Sequence, residues 1–372
     1  MVPPQTTKTR RLALCLAGLL EVACSASEPG AAARGPASSA VASEAPVIAS
    51  MSASAPVASA IANAASPPET SPFVDAGRAR RFLFTAGVPV EAGCGSEPVS
   101  VADHYAPFIR CLLTHRFAED PKARGHALEL FALSGDVAVT EEPFVMEGGF
   151  RGSIKLVGEL PVGKYEKHLA WVLSAKRAMT EFNLAISRHA SKNGGRVSYR
   201  DSAILWKFAR SVGRTTPSAY AGGWEIGWNV SGSLHSTERA VRDTIVHEIF
   251  HLNDQEHKVW SRRVLGEIVD SISARCGTKV ACLRPYAPGK TMVRGGTYYA
   301  FQPDNGDIAH EYSAELATRY FNEQLAMVRS EKLPEPPFKC AAEENARALA
   351  LLAEEFFGGV DLTPPCTGGG VP

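Results

Sequence analysis

The segment from Ser236 to Leu252 has the most constrained local structure in the sequence. Its apolar residues recur at helical spacing and predict one buried stripe, formed by Val241, Ile245, Ile249 and Leu252. Ser236 or Thr237 can cap the start of this helix, and Glu238 lies in its first turn, where the helix dipole favours negative charge. We therefore predict a capped, amphipathic helix.

Two histidines on this helix, His247 and His251, have the spacing of metal ligands. Residues four apart share a helix face, so both imidazoles can reach one metal ion. Glu248 projects about 100° round the helix from His247, which places it beside the metal, where a general base for a zinc-bound water belongs. This H-E-x-x-H pattern predicts one catalytic zinc ion, which needs a further protein ligand.

The third ligand has two candidates in the sequence. His257 would extend the pattern to H-E-x-x-H-x-x-D-x-x-H, which resembles that of the metzincin peptidases with Asp254 in place of their Gly. In an unbroken helix, however, His257 lies about 15 Å along the axis from His247. The other candidate is a later helical segment in which Glu311 and Glu315 share a face. One of these glutamates can bind zinc, and the other can accept a proton from a histidine ligand.

The later segment is apolar enough to bury its glutamates. Its flanking apolar residues are Tyr312, Ala314, Leu316 and Ala317. A buried carboxylate needs a compensating partner. A metal ion with its histidines would supply that partner, which favours this segment as the source of the third ligand.

Together, the two segments resemble the gluzincin zinc peptidases, most of all the lethal-factor type of catalytic domain. That family carries an HExxHxxD helix and a later E-x-x-A-E helix, and here "HEIFHLND" is followed by "EYSAELA". The similarity covers about residues 165–325. It implies an α+β, zincin-like metalloprotease domain in which a small mixed sheet packs on the HExxH helix, preceded by a small α+β region.

Matching the motifs position by position gives each residue an implied role. The roles are zinc ligation by His247, His251 and Glu311, proton transfer by Glu248, and support of the ligands by Glu315 and Asp254. The family also has an oxyanion-stabilising tyrosine shortly before its ligand glutamate. The candidates here are Tyr298 and Tyr299, which are farther upstream than in the family pattern, and His310.

The first 24 residues are typical of an export signal. Basic residues precede a short apolar stretch, Leu12–Leu20, which is too short for a permanent membrane-spanning helix. Cys24 follows in a pattern that resembles a bacterial lipoprotein signal, although Glu21 stands where Leu is usual. Two outcomes are open: a lipid on Cys24 that tethers the protein to a membrane, or cleavage near Ala23 to Ala26. Both predict export, to the cell envelope or beyond it.

Composition divides the rest of the chain. Residues 25–72 are almost all Ala, Ser, Pro and Val, without an aromatic residue, so we expect a disordered linker. The remainder is divided into an α+β region of unknown role (73–160), the zinc peptidase domain (161–358) and a loose tail (359–372). Its even number of cysteines predicts disulfides, with sequence neighbours as the simplest pairing: Cys94–Cys111, Cys276–Cys282 and Cys340–Cys366.

Local patterns also predict the other helices and strands. The predicted helices are 103–118, 163–195, 310–328 and 341–357, and the predicted strands are 126–140, 152–162, 203–212 and 223–234. The last of these strands carries Trp224 and Trp228, which serve in packing. The same strand would bind an extended peptide if it formed a sheet edge.

The residues and the resemblance predict an exported zinc metalloendopeptidase, monomeric, with a peptide or protein substrate. The net charge is zero, which argues against a nucleic-acid partner. Two alternatives stay open: a zinc hydrolase that acts on cell-wall peptides, and a non-catalytic surface lipoprotein with a structural zinc site. Structural zinc sites are usually rich in Cys, and the sequence has no CxxC pair, which favours a catalytic site.

Overall fold

The structure, a computed structural model, describes residues 73–85, 92–98, 104–147, 152–293, 296–303 and 306–366. The predicted leader with Cys24, the linker and residues 367–372 lie outside these ranges. The helices of the described residues are α1 Ala76–Leu83, α2 Tyr105–Arg116, α3 Pro121–Ser134, α4 Glu166–Lys192, α5 Glu238–Glu256, α6 Gly266–Cys276, α7 Val280–Leu283, α8 Ile308–Val328 and α9 Glu343–Phe357. The strands are β1 Val137–Thr140, β2 Phe144–Glu147, β3 Ser153–Gly158, β4 Leu205–Ser211, β5 Ala219–Gly222 and β6 Glu225–Asn229.

The described strands form one mixed sheet, so the α+β prediction is confirmed. The order is β2-β3-β4-β6-β5, and β1 pairs with the first half of β4 while β3 pairs with its second half. Strand β4 runs parallel to β1 and β6, whereas β5 turns back antiparallel to β6 and forms an edge. Strands from both sides of the predicted division at residue 160 therefore share one sheet.

Strand β6 lies inside the sheet, between β4 and β5. The hypothesis that this strand binds a peptide along an open edge is therefore wrong, because both of its edges are already paired. The packing role is confirmed for Trp228, which is fully buried and meets Trp206 of β4 edge to face, with ring centroids 6.0 Å apart. Trp224 is partly buried and donates from Nε1 to Glu256 of α5.

Helix α5 packs against other elements, as its predicted apolar stripe requires. It packs against α4, α8 and the edge strand β5. Of the two predicted caps, Thr237 is the one used, because its hydroxyl accepts from the backbone N–H of Ala240 at 3.1 Å. The stripe is buried, as are both histidines of the helix.

The predicted strand at 126–140 is wrong in its first part. Residues 126–134 belong to helix α3, and only Val137–Thr140 is a strand. Asp120 starts the helix by accepting from the N–H groups of Lys122 and Ala123, and Pro121 occupies its first turn. Gly135, at φ 75°, ends it. The apolar residues fit both the helical and the strand period. The caps and the contact with α4 therefore favour the helix.

The described part of the predicted loose tail is ordered against the core. Val360 is buried, and its carbonyl accepts from the hydroxyl of Tyr320 on α8. The three predicted disulfides are confirmed: Cys94–Cys111, Cys276–Cys282 and Cys340–Cys366. The last of them joins this tail to the segment before α9 and gives it a second attachment to the core. Within the described ranges, no helix is long and apolar enough to span a bilayer.

A buried ion-pair network joins α4 to the sheet. Lys176 is fully buried; its Nζ lies 3.6 Å from Oδ2 of Asp136 and also pairs with Asp201. Asp136 further accepts from Nε1 of Trp206 at 2.7 Å and from the N–H of Ile204 at 3.1 Å. Burial raises the pKa of Asp136 to about 6 even though Lys176 acts to lower it. Removing one partner of such a network leaves the other charge buried and uncompensated.

We predict that Lys176→Met lowers the free energy of unfolding by about 3–5 kcal/mol at pH 8, because Asp136 stays buried without its cation. The folded pKa of Asp136 lies above its unfolded value of roughly 3.9, so protonation favours the folded state. The loss should therefore be smaller at pH 5 than at pH 8. Urea unfolding at both pH values measures it.

The matched control is Lys192→Met, at an exposed lysine at the end of the same helix. We expect this change to stay within about 0.5 kcal/mol, as for most surface substitutions. Equal losses for the two variants would contradict the role of the buried network.

Candidate metal centre

Helix α5 presents two imidazoles to one point. His247 and His251 lie one turn apart, both are buried, and their Nε2 atoms are 3.0 Å from each other. The ring planes stand at 87° to one another. Two ring nitrogens that converge in this way offer two lone pairs to one cation.

Helix α8 brings a carboxylate to the same point. Oε2 of Glu311 lies 3.2 Å from Nε2 of His247 and 3.7 Å from Nε2 of His251. Asp307 starts α8 by accepting from the N–H of Ala309, which sets Glu311 in the first turn. The apolar residues that flank the glutamates are buried, as the sequence predicts: Tyr312, Ala314, Leu316 and Ala317.

The other candidate ligand, His257, does not join this group. It stands at the end of α5, where Nδ1 lies 2.6 Å from Oε1 of Glu355 and the ring contacts Phe356 of α9. Helix α5 continues unbroken past Asp254 to Glu256, so the 15 Å separation expected of a straight helix explains this outcome.

The three donors fit a tetrahedral metal ion. Ligands at roughly 2.0–2.1 Å from zinc in tetrahedral geometry lie about 3.3 Å from one another, close to the 3.0, 3.2 and 3.7 Å that separate the three donors here. Among the described residues, both oxygens of Glu311 are buried without a hydrogen-bond partner. Buried polar atoms need a partner, and a cation would be one. This buried His247–His251–Glu311 group can therefore bind a metal ion.

A second grouping, Cys94, Cys111 and His115, is not comparable. Its two cysteines form a disulfide, and a disulfide sulfur is not the thiolate that binds metals. The His/His/Glu group is therefore the candidate metal centre.

Electrostatics at the centre favour a cation. Burial by itself lowers the pKa of His247, but the carboxylates of Glu311, Glu248 and Glu315 outweigh it and raise that pKa to about 9. Burial raises the pKa of Glu311, yet the two histidines outweigh this effect and hold the pKa well below its usual range. Burial, followed by the charge of His310, lowers the pKa of His251 to about 3. Three carboxylates around two imidazoles thus attract positive charge.

Glu248 is the most isolated of these carboxylates. Its side chain is 0% exposed, and neither of its oxygens has a hydrogen-bond partner among the described residues. Burial raises the pKa of Glu248 to about 7; His247 lowers it and Glu311 raises it further. A carboxyl group with a pKa near neutrality can both accept and return a proton.

The two residues predicted to support the ligands, Glu315 and Asp254, contact different histidines. Oε1 of Glu315 lies 3.8 Å from Nδ1 of His247. The other nitrogen of that ring, Nε2, is the one that faces Glu311. Asp254 instead accepts from Nδ1 of His310 at 3.1 Å, and His310 stacks on His251 with ring centroids 3.9 Å apart. Asp254 therefore contacts the centre through His310 and not through a histidine of the donor group.

Asp254 has a further partner that sequence patterns did not indicate. Ser261 donates to it from both its backbone N–H and its hydroxyl, each at 2.7 Å. Between them the chain reverses through Lys258 and Val259, which have φ of 59° and 54°. Non-glycine residues at positive φ are uncommon. Only the folded turn brings Ser261 to Asp254.

The two candidate tyrosines lie differently. Tyr299 is buried, and its ring centroid is 5.9 Å from that of His247. Tyr298 is partly buried against the core, and its backbone bridges to Met292. Tyr299 is thus the tyrosine of the pair with a ring beside the donor group.

The interpretation of this site rests on its own residues and geometry. No protein-family model, no curated protein and no solved structure matches the chain.

We predict that Glu311→Ala loses most of the bound metal, because it removes one of three donors, while His257→Ala keeps it. Glu315→Ala should weaken binding by about 10–100-fold, as expected for a group that supports a ligand. Metal content of the three purified variants, measured side by side after dialysis, tests this order. A metal-free His257→Ala variant beside a metal-replete Glu311→Ala variant would overturn the assignment.

Proposed function

We propose that this protein is an exported zinc metallopeptidase of the gluzincin type that cleaves internal peptide bonds. The observation that carries the proposal is the isolated, buried carboxylate of Glu248 beside a buried group of two histidines and a glutamate. Two histidines and one glutamate are a donor set of catalytic zinc sites, which leave one position open.

A structural zinc site is the less favoured interpretation. Such sites use four protein ligands, most often cysteines, whereas the six cysteines of the described residues form three disulfides. A structural role would also leave Glu248 without a purpose, although a buried carboxyl group without a partner destabilises a fold.

The proposed reaction assigns a proton-transfer role to Glu248. When bound, zinc would polarise the scissile carbonyl and acidify water. A carboxylate oxygen of Glu248 takes a proton from the attacking water and then delivers it to the amine that leaves. Neither of its oxygens has a hydrogen-bond partner among the described residues, so both are available for that task.

Tyr298, Tyr299 and His310 are the candidates for contact with the oxygen of the scissile carbonyl. His310 is the most firmly held of them. Asp254 binds its Nδ1, and His251 stacks on its ring. Groups fixed before the reaction stabilise developing charge better than mobile ones. Tyr299 lies beside His247 and is the second choice, ahead of Tyr298.

The edge of the sheet next to α5 is an argument for a peptide substrate. Strand β5 forms an edge and packs against α5, the helix that carries His247 and His251. An extended peptide can add to such an edge through backbone hydrogen bonds. The three disulfides support export, since disulfides persist in oxidising compartments.

We predict that Glu248→Gln keeps its fold and its zinc but loses about 10²–10⁴-fold in kcat, because an amide cannot accept the proton. Glu267→Gln, at an exposed glutamate in the first turn of α6, is the control and should retain full activity. Metal content and turnover are measured on the same preparations. Near-normal turnover by Glu248→Gln would refute the proposed role.

The proposal as a whole is tested by digesting a diverse peptide library, with cross-linked cell-wall peptides in a parallel reaction. We expect internal cleavage of the library peptides, abolished by a chelator and restored by added zinc. Cleavage confined to the cell-wall peptides would assign a different substrate to the same residues. A zinc-loaded protein inert towards both would support a structural site.

A further inference from the structure

Gly289, in the segment between α7 and α8, lies directly against the carboxylate of Glu315. A Cβ added to Gly289 would overlap Oε2 of Glu315 and lie only 2.7 Å from its Cδ. The φ of Gly289 lies outside the left-handed range, so the backbone conformation by itself would accept an alanine. The glycine is therefore needed for space and not for conformational freedom.

The other oxygen of Glu315 faces a member of the donor group. Oε1 lies 3.8 Å from Nδ1 of His247, whose Nε2 faces Glu311 and His251. A carboxylate on this side of a histidine ligand fixes the ring orientation and leaves the Nε2 lone pair for the metal. The position of the Glu315 carboxylate therefore affects the orientation of the His247 ring.

The segment around Gly289 is held on both sides, so the glutamate side chain would give way first. Before it, Asn345 of α9 donates to the carbonyl of Pro285 at 2.7 Å. After it, Lys290 pairs with Glu335, which lies 3.3 Å from Nη1 of Arg319 on α8. The Glu315 side chain has three rotatable bonds, whereas the segment around 289 is held to α9 through the carbonyl of Pro285 and to α8 through side-chain ion pairs.

We propose that Gly289 is a positioning residue of the metal centre: its missing side chain is what lets the Glu315 carboxylate reach His247 and orient it. This inference rests on the proposed zinc site and adds no ligand to it. A side chain at position 289 would push Glu315 away from His247 and leave the ring free to turn.

The test is the zinc affinity of Gly289→Ala, measured by competition with a chromophoric chelator. We expect binding about 10–100-fold weaker than in the wild type, the range typical for loss of a group that supports a ligand. Gly125→Ala is the control, because a Cβ added there meets nothing within 4 Å among the described residues. Its affinity should equal that of the wild type.

A double variant separates positioning from general damage. If Gly289 acts through Glu315, Gly289→Ala/Glu315→Ala binds zinc no more weakly than Glu315→Ala alone. In the metal-free proteins, adding Gly289→Ala should lower Tm less in the Glu315→Ala background than in the wild type, because the overlapping carboxylate is gone. If Gly289→Ala alone does not fold, the double variant should restore folding.

Three results would overturn the inference while leaving the proposed function intact. They are wild-type affinity in Gly289→Ala, a full second loss of affinity in the double variant, and a Gly289→Ala change that lowers Tm as much in the Glu315→Ala background as in the wild type. A wild-type protein without zinc affinity would instead overturn the proposed function, and this inference with it.

Discussion

The burial of the Glu311 carboxylate between two imidazoles is the constraint on which the rest of the structure depends. A carboxylate removed from water is strongly unfavourable unless opposite charge surrounds it. His247 and His251 supply part of that charge, and a metal ion would supply the remainder. The contact brings α5 and α8 together, and these two helices pack directly on each other.

The residues around the donor group, Asp254, His310 and Glu315, stand on α5 and α8, and segments outside these helices contact two of them. Asp254 binds Ser261 across the turn after α5 and reaches the centre through His310. Glu315 approaches His247 from the side that the glycine of the α7–α8 segment leaves open. The geometry of the donors therefore depends on backbone that carries no donor of its own.

Much of the fold follows from local patterns because they determine which residues can share a face. The long helices and the cysteine pairings lie where spacing places them. The prediction for residues 126–134 failed because the same apolar residues satisfy both helical and strand periods. A cap at Asp120 and packing against α4 selected the helix. The hypothesis of a peptide-binding edge at β6 failed because strand order is a long-range property.

The sequence by itself determined that His247 and His251 face one way and that His257 is too far along the same helix to join them, because a helix repeats every 3.6 residues. Only the tertiary structure decided that Glu311 meets them from 60 or more positions away, that Asp254 binds Ser261 and His310, and that β5, not β6, forms an edge of the sheet. Most of these contacts join residues that are distant in sequence, and the contact of Asp254 with Ser261 depends on a turn at positive φ. They arise from how helices and strands pack, and the spacing of residues along a chain carries no direct record of that packing.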